Sequence, residues 1–315
     1  MTDATTIATE WRTVATGLRF PEGPVAMDDG SVLLVEIERG TLSRVSSDGT
    51  VEVVADCGGG PNGAAVGPDG SIWITNNGGC FQFIDLGTML VPGPVPDTWS
   101  GGSIQKVDLA SGDVQTVYTE CDGRPLRAPN DLVFDAHGGF WFTDHGVRLE
   151  RSSDRTGVFY ATADGSSIRE VIFPLDAPNG VGLSPAGDKV YVAETHTGRV
   201  WSWEVPEPGV ATGSGLMEPH GDLLIGLPGN QLLDSLAVDG DGWVCVGTLG
   251  NGGITAVSPD GTQVEHHPVD DLLVTNICFG GPDGRTAYAT ASGSGRLLAA
   301  EWPRPGLRLA NTSSS

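Results

Sequence analysis

Residues 128–146 read APNDLVFDAHGGFWFTDHG. A polar Pro-Asn-Asp leads into a short apolar run, Leu132, Val133 and Phe134. A Gly-rich turn at 135–139 reverses the chain. A second apolar run, 140–143, leads back out to Asp144 and His145. Two short apolar runs around such a turn predict a tight hairpin of two buried strands. Polar side chains then sit at its open ends.

The pattern recurs along the chain. It opens at Pro21 (PEGPVAMDDGSVLLVEIERG), Pro61 (PNGAAVGPDGSIWITNNGG) and Pro178 (PNGVGLSPAGDKVYVAETHTG). It opens again at Leu233 (LDSLAVDGDGWVCVGTLGNGG) and Thr275 (TNICFGGPDGRTAYATASGSG). The turn glycines Gly30, Gly70, Gly138, Gly187, Gly242 and Gly284 fall about 40 to 70 residues apart. One hairpin cannot bury both faces, so the units must stack. The sequence therefore predicts an all-β, six-bladed β-propeller over residues 9–303. Residues 1–8 are expected to be a disordered N-terminus, and 304–315 a C-terminal tail disordered from 311 onward. Residues 10–16 alternate like a strand and are expected to close the ring against the last blade.

Composition narrows the partners. The net charge is −23, from 40 acidic and 17 basic residues. Such a surface repels nucleic acid and anionic membranes. The five cysteines are odd in number and form no Cys-x-x-Cys pair, so no zinc knuckle or full disulfide framework is indicated. Cys245 and Cys278 lie in apolar strands and are expected in the core. The opening MTDATTIATEW has no apolar signal region, and a reducing cytoplasm is the default expectation.

If every glycine turn lies on one face of the disc, the strand entries share the other. Glu22, Asn62, Asn130, Asn179, Asp234 and Asn276 occupy the same repeat phase there. Glu36, Asn76, Asn77, Asp144, His145, Glu194, His196 and Asn251 fall beside them. Carboxylates and amides thus converge on one channel mouth, an oxygen-rich cage of the kind hard divalent cations prefer. An apolar insertion, 80–102, leaves from this face after blade two. It either covers the channel as a lid or packs against a neighbouring subunit.

The segments GLRFPEGPV, PNDLVFD, PNGVGLSPAGDKVYVAET and LDSLAVDGDGWVCVGTLGNGGI, in this order and spacing, resemble the regucalcin/gluconolactonase/luciferin-regenerating-enzyme-like family. The resemblance covers nearly the whole chain. It implies a six-bladed propeller with one divalent ion in the channel, held by Glu22, Asn130, Asn179 and Asp234. It implies hydrolysis of a small-molecule ester, most often a lactone. Phosphotriesterases of the diisopropylfluorophosphatase type share the cage and give the alternative activity. A non-catalytic metal- or ligand-binding propeller is a third reading. The segment 144–148 departs from the Asp-Pro-Pro pattern expected of a sugar lactonase.

Four oxygen donors make Ca²⁺ the first expectation, with Zn²⁺, Mn²⁺ and Mg²⁺ as substitutes. Asp234 is the expected general base towards water, or else the nucleophile. His145 is expected to relay a proton or bind substrate. Asn62, Asn276, Arg148 and Glu194 are the expected substrate contacts.

Overall fold

All six turn glycines adopt the left-handed conformation, with φ between 71° and 85°. L-residues with a side chain avoid this region, so each glycine fixes its hairpin's reversal point. The computed structural model describes residues 4–312. Its regular structure among the described residues is entirely strand: six radial sheets of four or five strands form a six-bladed β-propeller, and two small ribbons, Phe83–Asp85 with Leu90–Pro92 and Glu120–Cys121 with Arg124–Pro125, lie outside them. No helix among the described residues is long and apolar enough to cross a membrane.

Blade three shows why the opening stretch is apolar on both sides. Pro129–Phe134 pairs antiparallel with Gly139–Asp144, and Thr156–Thr162 and Ile168–Leu175 complete the sheet. Side chains alternate between the two neighbouring blades. Phe134, Phe140 and Phe142 pack towards blade two with Trp73 and Ile104. Val133 and Trp141 pack towards blade four with Val181, Val190 and Trp203. Both faces are buried, so alternation with polar residues disappears. Comparable apolar clusters fill the other four blade interfaces.

The ring closes as expected. Arg12–Ala15 pairs antiparallel with Arg296–Glu301 and becomes the outer strand of blade six. The termini hold more order than the sequence suggested. Thr5–Thr6 joins blade five in parallel, opposite Glu265 and His266. The Thr9 hydroxyl lies 2.7 Å from His267 Nδ1, and that imidazole stacks on Trp302 at 4.1 Å. Residues 304–312 likewise do not hang free. Arg304 bridges Asp239 and Glu265, Gly306 pairs with Asp239, and Asn311 Nδ2 donates to Val66 O. This segment therefore crosses the turn face and lines one side of an open channel chamber of about 560 Å³. Polar anchors of this kind carry no periodic signal. Residues 1–3 and 313–315 of the two expected tails lie outside the described residues.

Each blade's inner hairpin carries a register shift at its site-facing end: between Glu22 and Val25, Pro61 and Ala64, Pro129 and Leu132, Pro178 and Val181, Leu233 and Leu236, and Val274 and Asn276. A bulge re-aims the side chain it carries. Here it sits where the strand enters the channel. Gly23, at φ 50°, allows close approach of the next blade: a Cβ there would meet Ala64 N at 2.7 Å and Asn62 O at 2.8 Å.

Candidate metal centre and channel mouth

The bulges deliver Glu22, Asn130 and Asn179 to the channel as buried side chains, and Asp234 as a partly buried one. Neighbouring blades hold these strand entries from behind. Thr75 donates its hydroxyl to Asn130 O, Thr143 to Asn179 O and Ser292 to Pro21 O. A hydroxyl on one blade thus sets the backbone of the next ligand position.

The side chains are then fixed one by one. Glu22 Oε2 accepts from Gly23 N at 2.6 Å and from Asn276 Nδ2 at 2.7 Å. Asn179 Nδ2 donates to Thr195 Oγ1, and its Oδ1 accepts from Ser235 Oγ at 3.3 Å. Glu22 Oε1 and Asn130 Oδ1 are buried with no hydrogen-bond partner. A buried oxygen left unsatisfied costs about 1–3 kcal/mol. A bound cation removes that cost.

Electrostatics agree. Burial pushes the Glu22 carboxyl up to about 7, against the hydrogen bonds that favour its charge. Burial, and then the Glu22 charge, push Asp234 well above the usual carboxylate range. Burial likewise pushes Asp131 up to about 8. Asp131 follows Asn130 and was not singled out from sequence. Its carboxylate accepts from Leu132 N and from Val181 N of blade four, so it pins two ligand strands together. Glu22, Asp131 and Asp234 interact as like charges, and a divalent ion would offset two of the three. The described residues contain no group of three or more His, Cys, Asp or Glu arranged to hold an ion. Any ion here needs the two amides, and the donor set of two carboxylates and two amide oxygens fits a hard cation.

The remaining candidates divide. Asn276 holds Glu22, and its own Oδ1 accepts from Ile277 N. That makes it a support for the cage, with its expected substrate contact already engaged. Asn62 is buried at the same phase of blade two. Glu194 does not present a free carboxylate. Its oxygens accept from Asp176 N, Thr197 Oγ1 and Trp201 Nε1, so it clamps its own loop. Asp144 does the same for Arg127 N, Ala128 N and Gly146 N, and Glu36 for Arg19 N, Arg39 and Ser43. In blades one, three and four the acid ending the second strand is thus engaged by backbone and side-chain donors around it, which the sequence phase could not show. Arg148 is half exposed, with a loose 3.6 Å pair to Asp176.

His145 is partly buried, and its Nδ1 lies 3.0 Å from Gly146 O. A proton on Nδ1 is donated there, which leaves Nε2 as an acceptor. The His196 ring lies edge-on at 5.8 Å, with its Nε2 buried and unpartnered. Burial lowers both imidazoles, His196 to about 4. A folded His196 therefore stays neutral while the unfolded chain protonates near 6.5. Its contribution to stability is complete above about pH 6.5 and is lost as pH falls towards about 4. The raised carboxylates act with the opposite sign, so the comparison must be differential. On acidification from pH 7 to 4.5, His196→Gln is expected to lose less Tm than wild type. Parallel curves in thermal unfolding contradict this.

The insertion 80–102 lies across the site face of its own chain. One end packs Phe81, Val95 and Trp99 on Ala128 and Val147 of blade three. The other packs Phe83 and Leu90 against Phe20, Ile37 and Leu273, and Leu90 N donates to Gly293 O. It therefore reaches from blade three to blades one and six.

A six-bladed propeller with a mixed carboxylate–amide cage at one channel mouth defines a structural class, and the comparisons place the chain within it. Residues 20–293 match the SMP-30/Gluconolactonase/LRE-like region, and the chain belongs to that family. It is 27% identical over 317 aligned positions to a gluconolactonase of Zymomonas mobilis, covering 91% of this chain and 80% of that protein. The structure resembles the gluconolactonase XC5397 of Xanthomonas campestris, with a TM-score of 0.74, 21% identity and coverage of 94% and 90%. It also resembles regucalcin, a calcium-binding protein of Agrobacterium tumefaciens, with a TM-score of 0.73, 18% identity and coverage of 97% and 100%.

Proposed function

We propose that this protein is a divalent-metal-dependent hydrolase of a lactone or similar cyclic ester, acting above Glu22, Asn130, Asn179 and Asp234. The observation that carries this reading is the pair of unpartnered buried oxygens, Glu22 Oε1 and Asn130 Oδ1, beside carboxylates that repel one another. The relatives named gluconolactonase support the same reaction class. Oxygen donors throughout favour Ca²⁺. When bound, the ion supplies Lewis-acid polarisation of the ester carbonyl.

The chain's own residues do the rest. Asp234 accepts the proton of the attacking water at its carboxylate. Asn276 holds Glu22 in one orientation, and Thr195 and Ser235 hold the two ends of the Asn179 amide. His145 offers Nε2 to a substrate hydroxyl or to the hydroxyl released on ring opening. The insertion narrows the mouth and excludes water. The five free cysteines suit a reducing compartment such as the cytoplasm.

The test is hydrolysis of lactones of varied ring size and substituent, with added Ca²⁺ and after chelation. Turnover that chelation abolishes and Ca²⁺ restores is the expected result. Failure of the ion-loaded protein on every lactone overturns the lactonase reading and leaves a phosphotriesterase on the same cage or a binding propeller. Deleting the hairpin 83–92 is expected to shift KM or substrate range with the far-UV spectrum unchanged. Unchanged kinetics with loss of an oligomer assigns the insertion to subunit contact instead.

A further inference from the structure

A second cavity, of about 260 Å³, lies against the flank of blade three, and none of the four proposed metal ligands lines it. Three guanidiniums, of Arg124, Arg127 and Arg155, line it together, in a chain with only 17 basic residues against 40 acidic ones. Two of the three arginine side chains are largely solvent-exposed. Arg124 meets Glu170 at 3.5 Å with two thirds of its side chain exposed. Arg155 pairs at 2.8 Å with Glu218, a residue outside the cavity lining, and both are largely exposed. Water weakens such pairs, so both guanidiniums are free to exchange partners. Arg127 is held on one side by Asp154 and stacked on Trp99 on the other.

An independent observation points to a ligand. Thr156 lines the same cavity at 6% exposure, and its Oγ1 is buried with no hydrogen-bond partner. A hydroxyl can donate to an oxyanion, and guanidiniums bind carboxylates and phosphates through paired donors. Asp154 and Glu170 add acceptors at the wall, which suit hydroxyl groups on the same ligand.

We propose that this cavity is a binding site for a small hydroxylated oxyanion, a carboxylate or a phosphate, distinct from the channel. Arg124, Arg155 and Thr156 Oγ1 are its donors. The site does not depend on the metal reading of the channel. It does abut the channel wall. Asp144 lines the cavity and also holds Ala128 N and Gly146 N, which flank Asn130 and His145 in sequence.

The test is calorimetric titration of the full-length, ion-loaded protein with glycerate and, separately, with inorganic phosphate. Saturable binding of at least one is expected. Glycerate alone identifies a carboxylate site, and phosphate alone a phosphate site. The double substitution Arg124→Gln with Arg155→Gln is expected to weaken binding about tenfold or more. Thr156→Val should weaken it too, while keeping or raising Tm, because it removes an unsatisfied hydroxyl of similar shape. The proposal is overturned if neither probe saturates up to about 10 mM. Binding that survives undiminished in the double variant belongs to the channel, and also overturns it.

Discussion

Replacing Asp234 by asparagine is expected to lower kcat by roughly 10²–10⁴, the range for a lost acid–base group. The substitution keeps an oxygen donor at nearly the same place and removes only the charge and the basic site. It also relieves the repulsion from Glu22 that raises the Asp234 carboxyl. The loss should therefore persist at saturating Ca²⁺. Glu22→Gln differs. Its Oε1 is the unpartnered oxygen, so the change should weaken ion binding and be partly rescued by excess ion. Activity against Ca²⁺ concentration separates the roles. Full recovery of Asp234→Asn with more ion makes Asp234 a ligand only.

Chelation is expected to produce the largest change in stability. An ion bound only by the folded state contributes about 4 kcal/mol at a thousandfold excess over its Kd, on the order of 10 °C in Tm. Three carboxylates, the buried Glu22 and Asp131 and the partly buried Asp234, repel one another once the ion is removed. Glu22→Gln then has opposite effects in the two states. It should lower Tm with ion present. After chelation it should match or exceed wild type, because one of the repelling charges is gone. Scanning calorimetry with and without chelator tests the crossover. A wild-type Tm indifferent to chelation contradicts the cage.

The repeat made the architecture legible. FWF at 140–142 reads as a strand buried on both faces, and that is where it packs. The phase of Glu22, Asn130, Asn179 and Asp234 was legible for the same reason: one residue per hairpin, in register. What aims these residues was not. The bulges leave no composition signal beyond a neighbouring glycine at three of the six entries. Thr75 and Thr143 read as ordinary strand residues, and their hydroxyls act on the next blade. Asp131 was masked by its neighbour Asn130, although an acid in place of the glycine found in Pro-Asn-Gly was a visible departure. Glu194 shared the site-face register, but its carboxylate turns back into its own loop. Phase locates a side chain, while its hydrogen bonds decide whether it has capacity left for a ligand.

Blade six takes its outer strand, Arg12–Ala15, from one end of the sequence and Val274–Gly280, Thr286–Ala291 and Arg296–Glu301 from the other. During synthesis the earliest of these strands waits for the latest. Such a contact spans nearly the whole chain, the most costly kind of loop to close. Glu22 waits as well, because Asn276, which fixes its carboxylate, belongs to the final blade. A nascent chain can build blades two to five in turn and still lack an assembled cage. Ion affinity should therefore appear only at the last step of folding, as a signal that the circle is complete.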